Sequence, residues 1–138
     1  MWHRLKEPET NKIYFYNDET KEKTYIRPND GFRLYHILIK HINSRNPNDR
    51  SEVEALNLIN KLYLDLQQNI NIENFREYFK AKAMVVSECK SKSKGGDLGF
   101  VCKNEMYKEF EKAAFMLKRG RLVGPVKTPS GFHIIYRR

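Results

Sequence analysis

His36 and His133 stand almost a hundred residues apart in matching apolar runs, Leu34-Tyr35-His36-Ile37-Leu38-Ile39 and Phe132-His133-Ile134-Ile135-Tyr136, with Gly96-Asp97-Leu98-Gly99 between them. Side chains alternate across a strand, so His36 shares a face with Leu34 and Leu38, and His133 shares one with Ile135. Each imidazole therefore points toward an apolar side, where a lone histidine is most often a satisfied core residue. Cys89 is the third reactive side chain. Its neighbours Lys90, Lys92 and Lys94 favour the thiolate, the reactive form of cysteine, if they lie close, and a buried structural thiol is the alternative. A fourth feature is Lys40-His41-Ile42-Asn43-Ser44-Arg45-Asn46-Pro47, which directly follows the His36 strand. Such a cluster is either a solvated basic face or an anion site, and its placement beside the His36 strand favours the anion. There is no CxxC spacing, and nothing else reads as a metal site.

The elements that must position these residues are legible in the patterning. Ser51-Glu52-Val53-Glu54 is a capping-box pattern, and Ala55, Leu58, Ile59, Leu62 and Leu66 follow at helical spacing. A second helix is expected over about 72 to 82, with Phe75 and Phe79 one turn apart. A third carries Met106, Phe110, Ala113, Ala114 and Leu117 on one face, with Gly120 as its stop. Met106 and Phe110 would then form a single apolar wall, which reads equally as core or as pocket. The order strand, helices, strand, helix, strand, strand predicts an α+β domain with a four-stranded, mostly antiparallel sheet covered by helices. Ahead of it, Trp2, Ile13-Tyr14-Phe15-Tyr16-Asn17 and Lys23-Thr24-Tyr25-Ile26-Arg27-Pro28 suggest three short antiparallel strands. Asn29-Asp30-Gly31 is a link too short to act as a flexible tether.

With 138 residues, the chain can hold one ordinary domain, or a domain of roughly a hundred residues plus a very small module. Its 26 Lys and Arg against 17 Asp and Glu leave a net charge of +9, which calls for acidic partners: phosphorylated protein, nucleic acid or an anionic surface. Met1-Trp2-His3-Arg4-Leu5-Lys6 has no apolar signal core, and no run approaches the ~20 apolar residues of a membrane span. An intracellular protein, nuclear or cytoplasmic and not membrane-bound, is expected. In that setting Cys89 and Cys102 are expected to be free thiols.

The two histidine strands, Ser130-Gly131-Phe132-His133-Ile134-Ile135 and the Gly96-Asp97-Leu98-Gly99 turn together resemble the parvulin peptidyl-prolyl isomerases, and especially their Pin-type, phosphorylation-dependent branch. The resemblance spans residues 32–138. Residues 1–28 are similar to a WW domain, a proline-binding module, with Trp2 in place but Tyr25 where the second tryptophan stands. Its expected peptide groove is Tyr14 and Tyr25, while Glu7 and Glu9 occupy the loop that would have to hold a phosphate.

The parvulin resemblance implies rotation about X–Pro bonds, against a barrier of roughly 18–20 kcal/mol, with no metal or organic cofactor. By the same resemblance Leu98, Met106 and Phe110 form the proline pocket. His36 and His133 form a hydrogen-bonded pair that orients Cys89, Thr128 joins their network, and Ser130 falls at an active-site position. Lys40 and Arg45 match the phosphate clamp of the Pin-type branch, but Asn46 replaces its second arginine, a loss for which Arg50 is a candidate substitute. The expected substrates are proteins carrying phospho-Ser/Thr-Pro or acidic-Pro motifs, met by a monomer. Three other readings fit the same residues: a non-catalytic phosphopeptide adaptor, a basic parvulin-like scaffold making weak nucleic-acid contacts, and an isomerase without phosphate preference that helps folding.

Overall fold

The computed structural model describes residues 1–138 and contains two sheets and three α-helices. Strands β1 (Trp2–Lys6), β2 (Ile13–Asn17) and β3 (Lys23–Thr24) form a small antiparallel sheet in that order. Strands β4 (Phe32–Ile39), β5 (Asp97–Val101), β6 (Leu122–Thr128) and β7 (Gly131–Arg137) form the larger sheet, in the order β5-β4-β7-β6. Every neighbouring pair in it is antiparallel, so the expected α+β fold is present with a sheet that is wholly rather than mostly antiparallel. No helix is long and apolar enough to cross a membrane.

The period-two alternation of the central strands splits the core into two layers. Tyr35, Ile37 and Ile39 of β4 and Phe132, Ile134 and Tyr136 of β7 pack under helices α1 (Glu52–Gln68) and α2 (Phe75–Val86). The opposite face carries Leu34, Ile135 and the two histidines, and its apolar part packs with Val101 and with Phe110 and Ala114 of helix α3 (Lys108–Ala114). Ser51 caps α1 by accepting the Glu54 amide, and Ala55, Ile59, Leu62 and Leu66 are its buried stripe. Helix α2 begins and ends later than its expected bounds. Asn74 adopts a left-handed conformation just before Phe75, which stops a helix from running through it, and Phe75, Phe79 and Ala83 extend the buried stripe by a turn.

The third helix differs more. It is only seven residues long and starts after Tyr107, so Met106 lies in the preceding loop and not on the helix face. Gly120 does not stop it; the helix ends at Ala114, and Gly120 takes a positive φ in the turn leading to β6. The continuous stripe from Met106 to Leu117 joins loop, helix and turn.

The small sheet is docked on the larger unit. Trp2 and Phe15 bury themselves against Cys102, and the Trp2 indole N–H donates to Asp30 at 2.7 Å. Strand β1 pairs in parallel with Lys103, through the Arg4 amide to the Lys103 carbonyl and the Lys103 amide to the Trp2 carbonyl, both 2.9 Å. Arg27 grips Glu105 at 2.8 and 2.6 Å. Strand β3 stops at Thr24, before Tyr25, so the third strand is shorter than the sequence suggests.

Gly96 makes the closest approach of backbone to site. Its φ is +80°, its carbonyl accepts the His36 amide at 2.9 Å, and a Cβ there would lie 2.3 Å from the His36 carbonyl oxygen. Gly96→Ala should therefore cost about 2–4 kcal/mol of folding stability. Chemical denaturation checks this; a loss below half a kilocalorie would contradict the steric account.

Candidate active site

Cys89 is positioned by the way the chain leaves α2. The Ser87 hydroxyl accepts the Leu38 amide at 3.1 Å and the Glu88 amide donates to the Leu38 carbonyl at 2.8 Å, so residues 87–89 run along β4. A short 3-10 helix (Lys90–Lys94) then bulges outward before Gly96 rejoins β4. Cys89 and Ser91 are thereby brought to His36.

On the sheet, His36 pairs with Ile135 and Leu38 with His133, which makes the two histidines diagonal neighbours. Their Nδ1 atoms lie 3.0 Å apart and both residues are about 95% buried, at 5% and 4% exposure. The Ser130 amide donates to Thr128 Oγ1 at 3.1 Å, and Thr128 Oγ1 lies 2.6 Å from His133 Nε2. His36 Nε2 lies 3.1 Å from Ser91 Oγ.

Burial, reinforced by the neighbouring His36, pushes the His133 pKa down to about 3, so His133 is neutral near pH 7. With the Thr128 hydroxyl donating to His133 Nε2, the His133 proton sits on Nδ1 and is donated to His36 Nδ1. His36 must then carry its own proton on Nε2, facing Ser91 and Cys89. The reverse tautomers also complete the chain of bonds but leave His36 Nε2 as an acceptor, which cannot stabilise an anion.

A hydrogen bond from His36 is the main reason that the Cys89 pKa is lowered to about 6; burial opposes it and Ser91 adds to it. The lysines at 90, 92 and 94 are not the source of this acidity, contrary to the expectation from their proximity in sequence, because a directed donor outweighs solvated charges. Cys102 shows the opposite case. It lies buried beside Glu105, and its thiol is pushed up to about 11 by burial and then by that carboxylate. Both cysteines are free thiols.

His36, Leu38, Cys89, Ser130 and His133 form the floor and one side of a cavity of about 500 Å³, and Leu98, Met106 and Phe110 form its apolar wall. Phe110 meets both imidazoles edge-on, with centroids 5.8 and 5.3 Å away. Arg45 stands at the rim, held by its backbone N–H donating to the Pro129 carbonyl at 2.7 Å, and its guanidinium donates to the Tyr107 hydroxyl at 2.9 Å. Of the site residues expected from sequence, Thr128 stands behind His133, outside the cavity, and Lys40 stands at the end of β4, also outside it. Arg50 does not replace the missing second arginine of the clamp. It donates to Glu88 at 2.7 Å and to the Lys40 carbonyl at 2.8 Å, which makes it a strut of the loop. Burial alone would raise the Glu88 carboxyl, but Arg50 and the Lys40 amide hold it below its ordinary value.

Tyr14 and Tyr25 lie together, with centroids 6.5 Å apart at 61°, and neither lines this cavity. The Lys23 ammonium sits 4.5 Å over Tyr14 and 5.4 Å over Tyr25, Lys12 sits 5.2 Å over Tyr25, and the Tyr25 hydroxyl donates to Glu7. Tyr25 is nevertheless 53% exposed.

Leu38, Glu105 and Tyr107 line the cavity without having been singled out in the sequence. Leu38 follows from strand alternation, being two residues beyond His36. Glu105 and Tyr107 flank Met106, and reading Met106 as helical hid them, because a helix would have turned its neighbours away.

Comparison with known proteins gives a consistent result. The family profile described as "Rotamase: PPIC-type PPIASE domain" matches residues 36–138. The peptidyl-prolyl cis-trans isomerase pin1 of Rhizopus delemar is 39% identical over 92% of this chain and 89% of its own length. The peptidyl-prolyl cis-trans isomerase ESS1 of Saccharomyces cerevisiae is 34% identical over 90% of this chain and 84% of its own. Among solved structures, peptidyl-prolyl isomerase ESS1 from Candida albicans superposes with a TM-score of 0.66 over 99% of this chain and 93% of that one, at 28% identity.

Proposed function

Since the chain belongs to the PPIC-type, or parvulin, family of peptidyl-prolyl cis/trans isomerases and so catalyses rotation about X–Pro bonds, we propose that it prefers bonds preceded by phospho-Ser/Thr or another acidic residue and works without a covalent intermediate. The observation that carries the preference is Arg45, which reaches the cavity rim free of any ion pair with this chain's carboxylates. One of its five N–H groups is spent on Tyr107, and the others remain for an anion. Because arginine only donates, the Tyr107 hydroxyl accepts in that bond and keeps its own proton to give to the same anion. Lys40 adds positive charge from the end of β4. Asn46, and the commitment of Arg50 to Glu88, leave this clamp with fewer cations than the Pin-type pattern.

The chemistry follows from what twisting does to an amide. A planar amide places negative charge on its oxygen and draws the nitrogen lone pair away; a twisted one returns that charge to nitrogen. A thiolate beside the carbonyl oxygen therefore repels the planar state more than the twisted one, which lowers the barrier by differential interaction. Cys89 supplies that charge, His36, His133 and Thr128 hold it in place, and Leu98, Met106 and Phe110 seat the pyrrolidine ring. Ser130 lines the cavity beside His133 and contributes a hydroxyl. Residues 1–28 serve as a docked structural arm that binds proline weakly at most, because Lys23 stands over both Tyr14 and Tyr25 and Lys12 over Tyr25, and these side chains must move aside before a proline can stack.

Exchange rates on matched phospho-Ser-Pro, Glu-Pro and Ala-Pro peptides test the preference. Lys40→Ala combined with Arg45→Ala should lower kcat/KM for the phosphorylated peptide at least tenfold more than for Ala-Pro, as expected for the loss of bonds worth about 1.5–3 kcal/mol each. Equal losses on all three peptides would refute the clamp.

A further inference from the structure

Glu105 is an acid in the wall of a cavity proposed to receive an anion. Its side chain lines that cavity beside Met106, is 13% exposed, and accepts the Cys102 amide at 2.6 Å. An ionised carboxylate there repels an acidic residue arriving before proline. Its counter-charge comes from outside the larger sheet and its helices: Arg27, in the segment that leads out of the small sheet, grips both oxygens of Glu105 at 2.8 and 2.6 Å. The same guanidinium donates to the Phe100 carbonyl at 3.2 Å and stacks 5.1 Å over Phe15, so it is tied at once to the small sheet and to β5. No other cation pairs with Glu105.

We propose that Arg27 is a specificity-determining residue of the isomerase: by neutralising Glu105 it keeps the cavity hospitable to acidic substrates, so the N-terminal segment sets the charge preference of a site that it does not itself enter. This deepens the acidic-substrate reading and rests on it. The bidentate geometry matters because two parallel N–H to oxygen bonds hold the positive charge at a fixed place against the carboxylate. A like charge left uncompensated in the wall of the same cavity is less screened than one in open solvent. The inferred role is electrostatic and indirect. Arg27 touches no substrate.

The test uses the full chain and four forms: unmodified, Arg27→Gln, Glu105→Gln and the double variant. The quantity read is the ratio of kcat/KM for phospho-Ser-Pro to that for Ala-Pro at low ionic strength. Arg27→Gln should lower this ratio about fivefold, Glu105→Gln should leave it level or raise it, and the double variant should return to the unmodified value or above. The deficit of Arg27→Gln should also shrink at high salt. A structural role for Arg27 would behave differently, because Glu105→Gln restores neither its stacking on Phe15 nor its bond to Phe100. The inference is overturned if the double variant stays as low as Arg27→Gln, or if Arg27→Gln depresses both peptides equally. The ratio in the unmodified protein separately decides the acidic-substrate reading, since the comparison among variants is a change relative to that ratio whatever its value.

Discussion

Cys89→Ala is expected to lower kcat/KM about a hundredfold on phosphorylated and uncharged peptides alike, whereas Cys89→Asp retains most of the activity. Losses of this size are typical when one preorganised charge or dipole is removed from a site. Aspartate supplies the negative charge of the thiolate; alanine supplies none. The pH profiles should separate the two chemistries. With the Cys89 pKa at about 6, activity rises with pH through that value, and in the Cys89→Asp variant the acid limb moves lower because a carboxylate ionises earlier. His133 sets a second acid effect on stability. Its folded pKa of about 3 lies below its ordinary value near 6.5, so the unfolded chain takes up a proton first and stability falls as pH drops from about 6.5 toward 3. Activity must therefore be read alongside a fold signal. An inert aspartate variant beside an active alanine one, or a substrate adduct trapped at Cys89 during turnover, would overturn the electrostatic role.

Trp2→Ala should destabilise the whole chain by about 3 kcal/mol, as expected for truncation of a buried tryptophan. The loss is not confined to the small sheet. Trp2 packs on Cys102, its carbonyl receives the Lys103 amide, and the same loop continues into Glu105, Met106 and Tyr107 of the cavity wall. Proline-substrate turnover should fall together with stability. Urea denaturation of the full chain provides the measurement; unchanged stability and turnover would show the small sheet to be an appendage.

What sequence could and could not reveal divides along physical lines. Local rules carried the Ser51 cap, the buried stripe of α1 and the facing of His36 and His133, because each depends on residues within a few positions or on strand alternation. Leu98, Met106, Phe110 and Cys89 stand out only by family resemblance, and the structure gathers them around one cavity. Met106 and Phe110 share the wall without sharing a helix, because the chain is still extended at Tyr107. The lysines beside Cys89 in sequence suggest an acidic thiol, but the source of its acidity is the His36 imidazole, 53 residues away in the chain. Arg50 looked like a spare cation until its carboxylate, Glu88, came from the far side of two helices. Pairings across such distances leave no periodic trace. The same is true of Lys103, which is unremarkable in sequence and yet receives strand β1.

The diagonal contact of His36 with His133 spans 97 residues. Helices α1 and α2 depend on near neighbours and can form early, but β4 and β7 meet only after a long segment of chain has been closed into a loop, at an entropic cost that accrues before any pairing offsets it. The central β4–β7 ladder is thus the fold's least local element, and it is where the imidazoles touch. A nascent or partly folded chain can own its helices and still have no site at all. Catalysis in this protein is a property of the completed sheet, and turnover reports that this long-range closure has taken place.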